Sequence, residues 1–445
     1  MDIKEIYISN VLESYYRGYD QLTEAEKQKW YQYDFFEANR ALLYGADDKV
    51  VVTSYPINPE YLLDIKQIAK WDNVINLCPD SPSPSISNDL KQNPKLKAEL
   101  VRIIQDNPGI KLIQYRSTPE FHNLVSWLKK QKLDFKTPEL IESDNEFVLN
   151  YYNTKRGFRH LWASVLGEGR QDINIPDGFI CGDLDEALEA AWWFRAHNRD
   201  FVIKYNRGVQ GVGVSLNFCQ DLAQEKKAFL NQLKLKLNEG FWQEPSIIVE
   251  ELITMDPHHF GGSPNVELFI DELGQVHFSY PCEQILEHGK KFIGVKIHPE
   301  LLAYPQMQAA KKAGEKFGQA LSQKGYRGCF DIDMVVDKKG RAFAVEANLR
   351  RTGGTHLHEL ALSLLGKNYY QTHYLISLDL RLKEVLTYSQ VKERLAELNY
   401  NSDTQTGILL ANADLLTKKI FVPILIAKNK TTINNIYHQV LALFQ

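Results

Sequence analysis

The stretch CFDIDMVVDKKGRAFAVEANLRRTGGTH, residues 329–356, restricts the fold more than any other part of the chain. Two apolar runs of strand length flank DKKG, a hairpin signal. Strand side chains alternate between faces, so Asp331 and Asp333 share one face of the first run. Glu346 and Asn348 share one face of the second, and Arg350 continues it. A row of acids on an apolar sheet is costly to bury unless a cation compensates. Asp333, Glu346 and Asn348 therefore read as hard oxygen ligands for Mg²⁺, with Mn²⁺ as the alternative ion. Arg350 and Arg351 place positive charge beside them. The competing interpretation is the solvent-facing side of an edge hairpin.

A second stretch, FVIKYNRGVQGVGV at 201–214, carries one lysine in a β-branched strand followed by Gly208, Gly211 and Gly213. A Walker A loop needs its lysine after the glycines, and a dinucleotide fingerprint needs a helix to follow. Here Lys204 precedes the glycines and VSLNF follows as another strand. What remains is a strand–glycine hairpin–strand flap. Its backbone amides can close over a polyphosphate while Lys204 reaches it from the first strand. A plain hairpin with an incidental lysine is the bland alternative on this segment alone.

The rest of the chain supplies context. In the first ~140 residues, β-branched runs such as DKVVVTSYPI and NVINLCPD alternate with helical spacing, as in an open α/β sheet. The SPSPS run at 81–85 reads as a loop after a strand, with a substrate loop as its functional alternative. Residues 148–167 read as one helix, 183–198 as another capped by Asp183, and TGILLANA and KKIFVPILIA near the end as strands. The expected division is 1–145, 146–375 and 376–445. A net charge of −4 offers nothing to a nucleic acid. No apolar run reaches membrane-spanning length and the first residues lack a signal-peptide pattern. Five scattered cysteines without a C-x-x-C pair fit free thiols in a reducing cytoplasm.

Taken in order along the chain, these residues resemble the ATP-grasp superfamily over about 150–375. The resemblance implies a first phosphate lysine, Lys155 in NTKRGF, ahead of an IPDGF turn at 175–179. It implies Lys204 as the second, and VEEL as the adenine hinge. There Glu250 would accept from the adenine amino group, with Glu251 and Ile253 nearby. It implies Asp333, Glu346 and Asn348 as metal ligands and Arg350 as the catalytic arginine. The flanking regions are similar to ligases with a pre-ATP-grasp N-terminal domain and a small C-terminal domain, such as the pheganomycin-type peptide ligases. Leu357 stands where proline often follows GGTH in that group, and TMDPHHFGGSPN matches no pattern there, which leaves the ribose contact unassigned. The implied fold is α/β, α+β in the grasp domain, with α/β domains on either side.

The implied chemistry is ATP-dependent activation of a small-molecule carboxylate as an acyl phosphate. An amine, from an amino acid or short peptide, then attacks it to give an amide. Arg351 is a candidate to grip a substrate carboxylate, against a salt bridge. Glu267, inward by alternation on NVELFID, is a candidate for the substrate amine, against a structural ion pair. His356 is a candidate base or substrate contact. A small-molecule kinase keeps the same site, and a non-catalytic nucleotide-binding regulator is the third class. A homodimer is the default oligomer.

Overall fold

The computed structural model describes residues 2–20, 22–167, 172–208, 213–238, 240–243, 245–287, 289 and 291–444. Among them the strands form three sheets. The first holds β1 (Glu5–Ile8), β2 (Lys49–Val52), β3 (Val74–Leu77), β4 (Ile110–Gln114) and β5 (Phe135–Lys136). All are parallel, in the order β3-β2-β1-β4-β5. β1 and β2 are apolar because a parallel sheet is covered on both faces. The connecting helices Pro59–Ala69 and Pro119–Lys130 begin with proline after the side-chain caps Asn58 and Thr118. The winding reverses at β1 and β4, which opens a crevice at their carboxyl ends.

The short β6 (Ile173–Asn174) returns to the large sheet described below. The second sheet is antiparallel, with β7 (Gly178–Cys181), β8 (Phe201–Tyr205), β9 (Val214–Asn217) and β10 (Ile247–Glu251) in the order β7-β10-β8-β9. Its apolar face buries Phe201, Ile203, Ile247 and Val249 against the helices Leu184–Ala196 and Lys226–Lys236. β8 and β9 form the hairpin expected at the glycines, pairing Lys204 with Val214. Gly213 closes it at φ +74°, where an added Cβ would stand 2.6 Å from the Tyr205 Cβ. Gly211 lies outside the described residues.

The third sheet carries β11 (Pro264–Ile270), β12 (Val276–Glu287), β13 (Lys291–Ile297), β14 (Gly328–Val336) and β15 (Ala342–Asn348). It continues through β16 (Tyr374–Leu378), β17 (Leu380–Arg381), β18 (Gly407–Asn412) and β19 (Ile420–Ala427). β13 pairs with β16 and β16 with β19, so the last part of the chain extends the sheet that carries the acids. The helix Pro305–Gln323 packs its apolar face on β11 and β14 through Phe317 and Phe330.

The expected single helix at 148–167 is two, Glu146–Tyr152 and Lys155–Leu166. Thr154 breaks it by turning extended and accepting from the Gly157 amide at 3.1 Å. That break places Lys155 in the first turn of a new helix. Among the described residues no helix is long and apolar enough to cross a membrane.

Candidate active site

A cavity of about 820 Å³ lies between the second and third sheets. Lys155, Lys204, Gly208, Glu250, Glu251, Ile253, Glu267, Asp333, Glu346, Asn348 and Arg350 all line it. Register explains the acidic wall. On the β14–β15 ladder Asp333 stands opposite Glu346 and Asp331 opposite Asn348, with a bulge just after Asp333. The neighbouring β11 adds Asn265 opposite Asp333 and Glu267 opposite Asp331.

Amides hold these acids in place. Asp333 Oδ1 accepts from Asn265 Nδ2 at 2.6 Å and Gln284 Nε2 at 2.5 Å, and its Oδ2 from Asn348 Nδ2 at 3.1 Å. Asp331 accepts from Asn265 at 2.9 Å and from the Asn348 backbone at 2.8 Å. Burial, then the charge of Glu267, pushes Asp331 up to about 7. Burial, then Asp331 and Glu346, holds Asp333 well above the usual carboxylate range. Burial also raises Glu267 to about 8, with Asp333 adding to the shift, although the Thr352 hydroxyl donates to it and opposes the rise.

The donor set fits Mg²⁺. Among the described residues no three His, Cys, Asp or Glu side chains form a metal cluster. Mg²⁺, however, is usually held by one or two carboxylates plus phosphates and waters. Asp333 and Glu346, with the Asn348 amide oxygen, meet that requirement.

The two lysines reach the cavity from different elements. Lys155, 4% exposed, donates to the Gly208 carbonyl at 3.0 Å and to Glu346 at 3.1 Å. Lys204 pairs with Glu250 one diagonal step across β8 and β10. Glu250 is 3% exposed, and its second oxygen accepts from Arg159 at 2.7 Å. Each of its oxygens meets one cation and keeps a further lone pair, so Glu250 holds Lys204 and Arg159 at the cavity wall. Arg159 was legible through its i+4 spacing from Lys155 on one helix face. Glu251 pairs with Arg199 at 2.6 Å and accepts from the Asp177 backbone at 3.1 Å, tying the hinge to the IPDGF turn.

Arg350 donates to Asn348 Oδ1 at 3.0 Å and lies 5.6 Å and 5.9 Å from the rings of Tyr15 and Tyr115. These tyrosines, missed in the sequence, come from the helix after β1 and from the residue just after β4, and their hydroxyls are 2.8 Å apart.

Two candidates lie elsewhere. Arg351, 4% exposed, donates to both oxygens of Glu139 at 2.6 and 2.8 Å and to the Gln114 carbonyl at 2.8 Å. It forms an internal ion pair and does not line the cavity. His356 is buried against Ser377 Oγ at 2.9 Å, and burial drives its proton affinity far down. It contacts the core and does not line the cavity. The SPSPS loop is likewise internal at its end, where Ser85 donates to the buried Glu13 at 2.8 Å.

No family model matches the chain. It is 28% identical over 199 residues to a [butirosin acyl-carrier protein]–L-glutamate ligase of Niallia circulans, covering 43% of each chain. It is 30% identical over 123 residues to an L-propargylglycine–L-glutamate ligase of Streptantibioticus cattleyicolor, covering 28% of this chain and 24% of that one. The matches thus span less than half the length of either relative. Among solved structures, N5-carboxyaminoimidazole synthetase from Staphylococcus aureus complexed with ADP superposes with a TM-score of 0.54 at 11% identity. That match covers 100% of this chain and 98% of that one. Biotin carboxylase from Campylobacter jejuni gives 0.55 at 11% identity over 100% and 92%.

Proposed function

We propose that this chain, which has the ATP-grasp fold, is an ATP-dependent ligase that joins a carboxylate to an amine. The observation that carries the proposal is the composition of one cavity. It brings two lysines from separate elements, an oxygen-donor set and the Arg350 guanidinium to one place. L-glutamate is the first substrate to test, because the names of both relatives contain it. The three-part division at 145 and 375 and a reducing cytoplasmic setting, supported by five free cysteines, belong to the same proposal.

In this reaction a substrate carboxylate oxygen attacks the γ-phosphorus of ATP, the bond to the β-phosphate oxygen breaks and ADP leaves. The amine nitrogen then attacks the acyl phosphate carbon. The C–O bond to phosphate breaks, inorganic phosphate leaves and the nitrogen loses a proton. Phosphoryl transfer demands mainly positioning and charge neutralisation. Lys155 and Lys204 supply that charge, each held ready by a carboxylate. The hinge at 251–253 receives adenine, and Gly208 and Gly213 frame the flap over the phosphates. Asp333, Glu346 and Asn348 would hold Mg²⁺, which neutralises phosphate charge when bound. Arg350 donates to charge developing on the transferred group and on the tetrahedral oxygen. Glu267 faces the same cavity and recovers its ionised form when a substrate ammonium approaches. Exclusion of water matters because hydrolysis of the acyl phosphate wastes ATP.

The test is ADP release by the full chain with ATP, Mg²⁺ and L-glutamate, alone and with each amino acid as amine. Two-substrate dependence with an amide product is expected. Release with one substrate and a stable phosphate ester would make it a kinase.

A further inference from the structure

Arg350, which lines the cavity, lies against Tyr15 and Tyr115 at the end of the first sheet where its winding reverses. Ligands of open α/β sheets bind in the crevice at such a reversal, outside the carboxyl ends of the strands. Asn10, just after β1, fastens it. Its Oδ1 accepts from the backbone of Tyr115 at 2.9 Å and Arg116 at 3.2 Å, and its Nδ2 donates to the Arg116 carbonyl at 2.9 Å. The Arg351 backbone donates to the Tyr115 carbonyl at 3.2 Å. The Arg350–Arg351 segment is therefore laid along the end of β4, beside Arg116.

Arg116 is half-buried. Its Nη1 donates to the Ser14 carbonyl at 3.3 Å, while its Nε is shut from solvent without a partner. Among the described residues no carboxylate forms an ion pair with it or with Arg350. Burial, and Arg350 nearby, both lower its proton affinity; the groups that oppose this are the phenols of Tyr15, Tyr326 and Tyr115, not acids. Arg350 has the acids Asp331 and Glu346 near it, whereas the groups that oppose the Arg116 shift are phenols; a buried guanidinium so placed favours an incoming anion. A planar fork suits a carboxylate, bound through two parallel hydrogen bonds. Lys155 and Lys204 already face the site of the ATP phosphates from other elements.

We propose that Arg116, with Arg350 beside it, forms a carboxylate-binding subsite that holds the main-chain carboxylate of an amino-acid substrate at the end of the first sheet, beside the cavity. The substrate class rests on the ligase assignment above; the anion subsite rests on the two arginines.

The experiment measures binding and turnover separately. The full chain with Mg²⁺ and a non-hydrolysable ATP analogue is titrated with each proteinogenic L-amino acid, with the α-carboxamides of those that bind, and with inorganic phosphate. Thermal shift and calorimetry give the readouts. At least one amino acid should bind, its carboxamide should bind ~10²-fold more weakly, and R116M should lose the same ~10²-fold. Binding of the ATP analogue should not change. R116K, which keeps the charge without the fork, should fall between. R116M without ligand should be as stable as the wild type or more so, because it removes a buried unpaired cation; a merely structural arginine would give a less stable protein. The proposal is overturned if no amino acid binds, if the carboxamide binds equally, if phosphate alone occupies the site, or if R116M and R116K both leave binding unchanged. Binding through Arg116 without ADP release leaves the subsite standing and removes the ligase assignment. Amide formation unaffected by R116M does the reverse.

Discussion

Lys155 Nζ stands 3.1 Å from Glu346 Oε1 and 3.0 Å from the Gly208 carbonyl, so one cation joins a helix start, the acidic strand and the glycine hairpin. K155M keeps the length of the side chain and removes its charge. Glu346 then loses its paired cation beside Asp333, and the phosphates lose a fixed donor. ADP release should fall by ~10²–10³-fold with a higher KM for ATP. Steady-state kinetics with ATP as the varied substrate checks this; an unchanged KM for ATP would remove Lys155 from the phosphate side.

Asp333 makes a different prediction because it accepts from three amides at once. D333N loses a charge that burial disfavours but also turns an NH2 donor toward one of the three amides, so the two effects oppose and its melting temperature should stay within a few degrees of the wild type near pH 8. Mg²⁺ with an ATP analogue should raise the melting temperature of the wild type and leave that of D333N where it was. Turnover should disappear. Equal Mg²⁺ stabilisation of both proteins would remove the metal assignment from this residue.

Glu267 is one of several buried carboxyls that make stability depend on pH. Its carboxyl is held at about 8, against 4.5 for the unfolded chain. Between those values the folded protein keeps a proton that the unfolded chain has released, so this group makes stability fall as pH rises. E267Q cannot titrate. Its melting temperature relative to the wild type should therefore climb from about pH 5 to about pH 9. A constant difference across that range would mean that Glu267 is ionised throughout.

Strand alternation accounts for what the sequence discloses about this site. It puts Asp333, Glu346 and Asn348 on one face, whereas Arg350 and Arg351 lie in the bend after β15, where the period of two no longer applies. Asn265 was readable in the same way, two residues before Glu267 on the same strand face. Local spacing cannot reveal Glu139, Tyr15, Tyr115 or Arg116. They approach the site only because the first sheet folds back onto residues 348–352, contacts of more than 200 residues in separation for Arg351 and Glu139. The two-helix break at Thr154 was likewise hidden, because apolar spacing continues across it and only the cap marks the boundary.

Arg351 and Glu139 provide the last prediction. Both are buried, and their two parallel hydrogen bonds tie the segment after β15 to the segment after β5. Removing one partner of such a pair strands the other charge, which typically costs ~3–5 kcal/mol, whereas replacing both with apolar residues is often close to neutral. R351M should therefore lose stability by that amount in urea denaturation, and R351M/E139L should recover most of it. The double variant should also keep the wild-type KM for both substrates, because neither side chain lines the cavity. A raised KM for one substrate in the stable double variant would return Arg351 to the binding site.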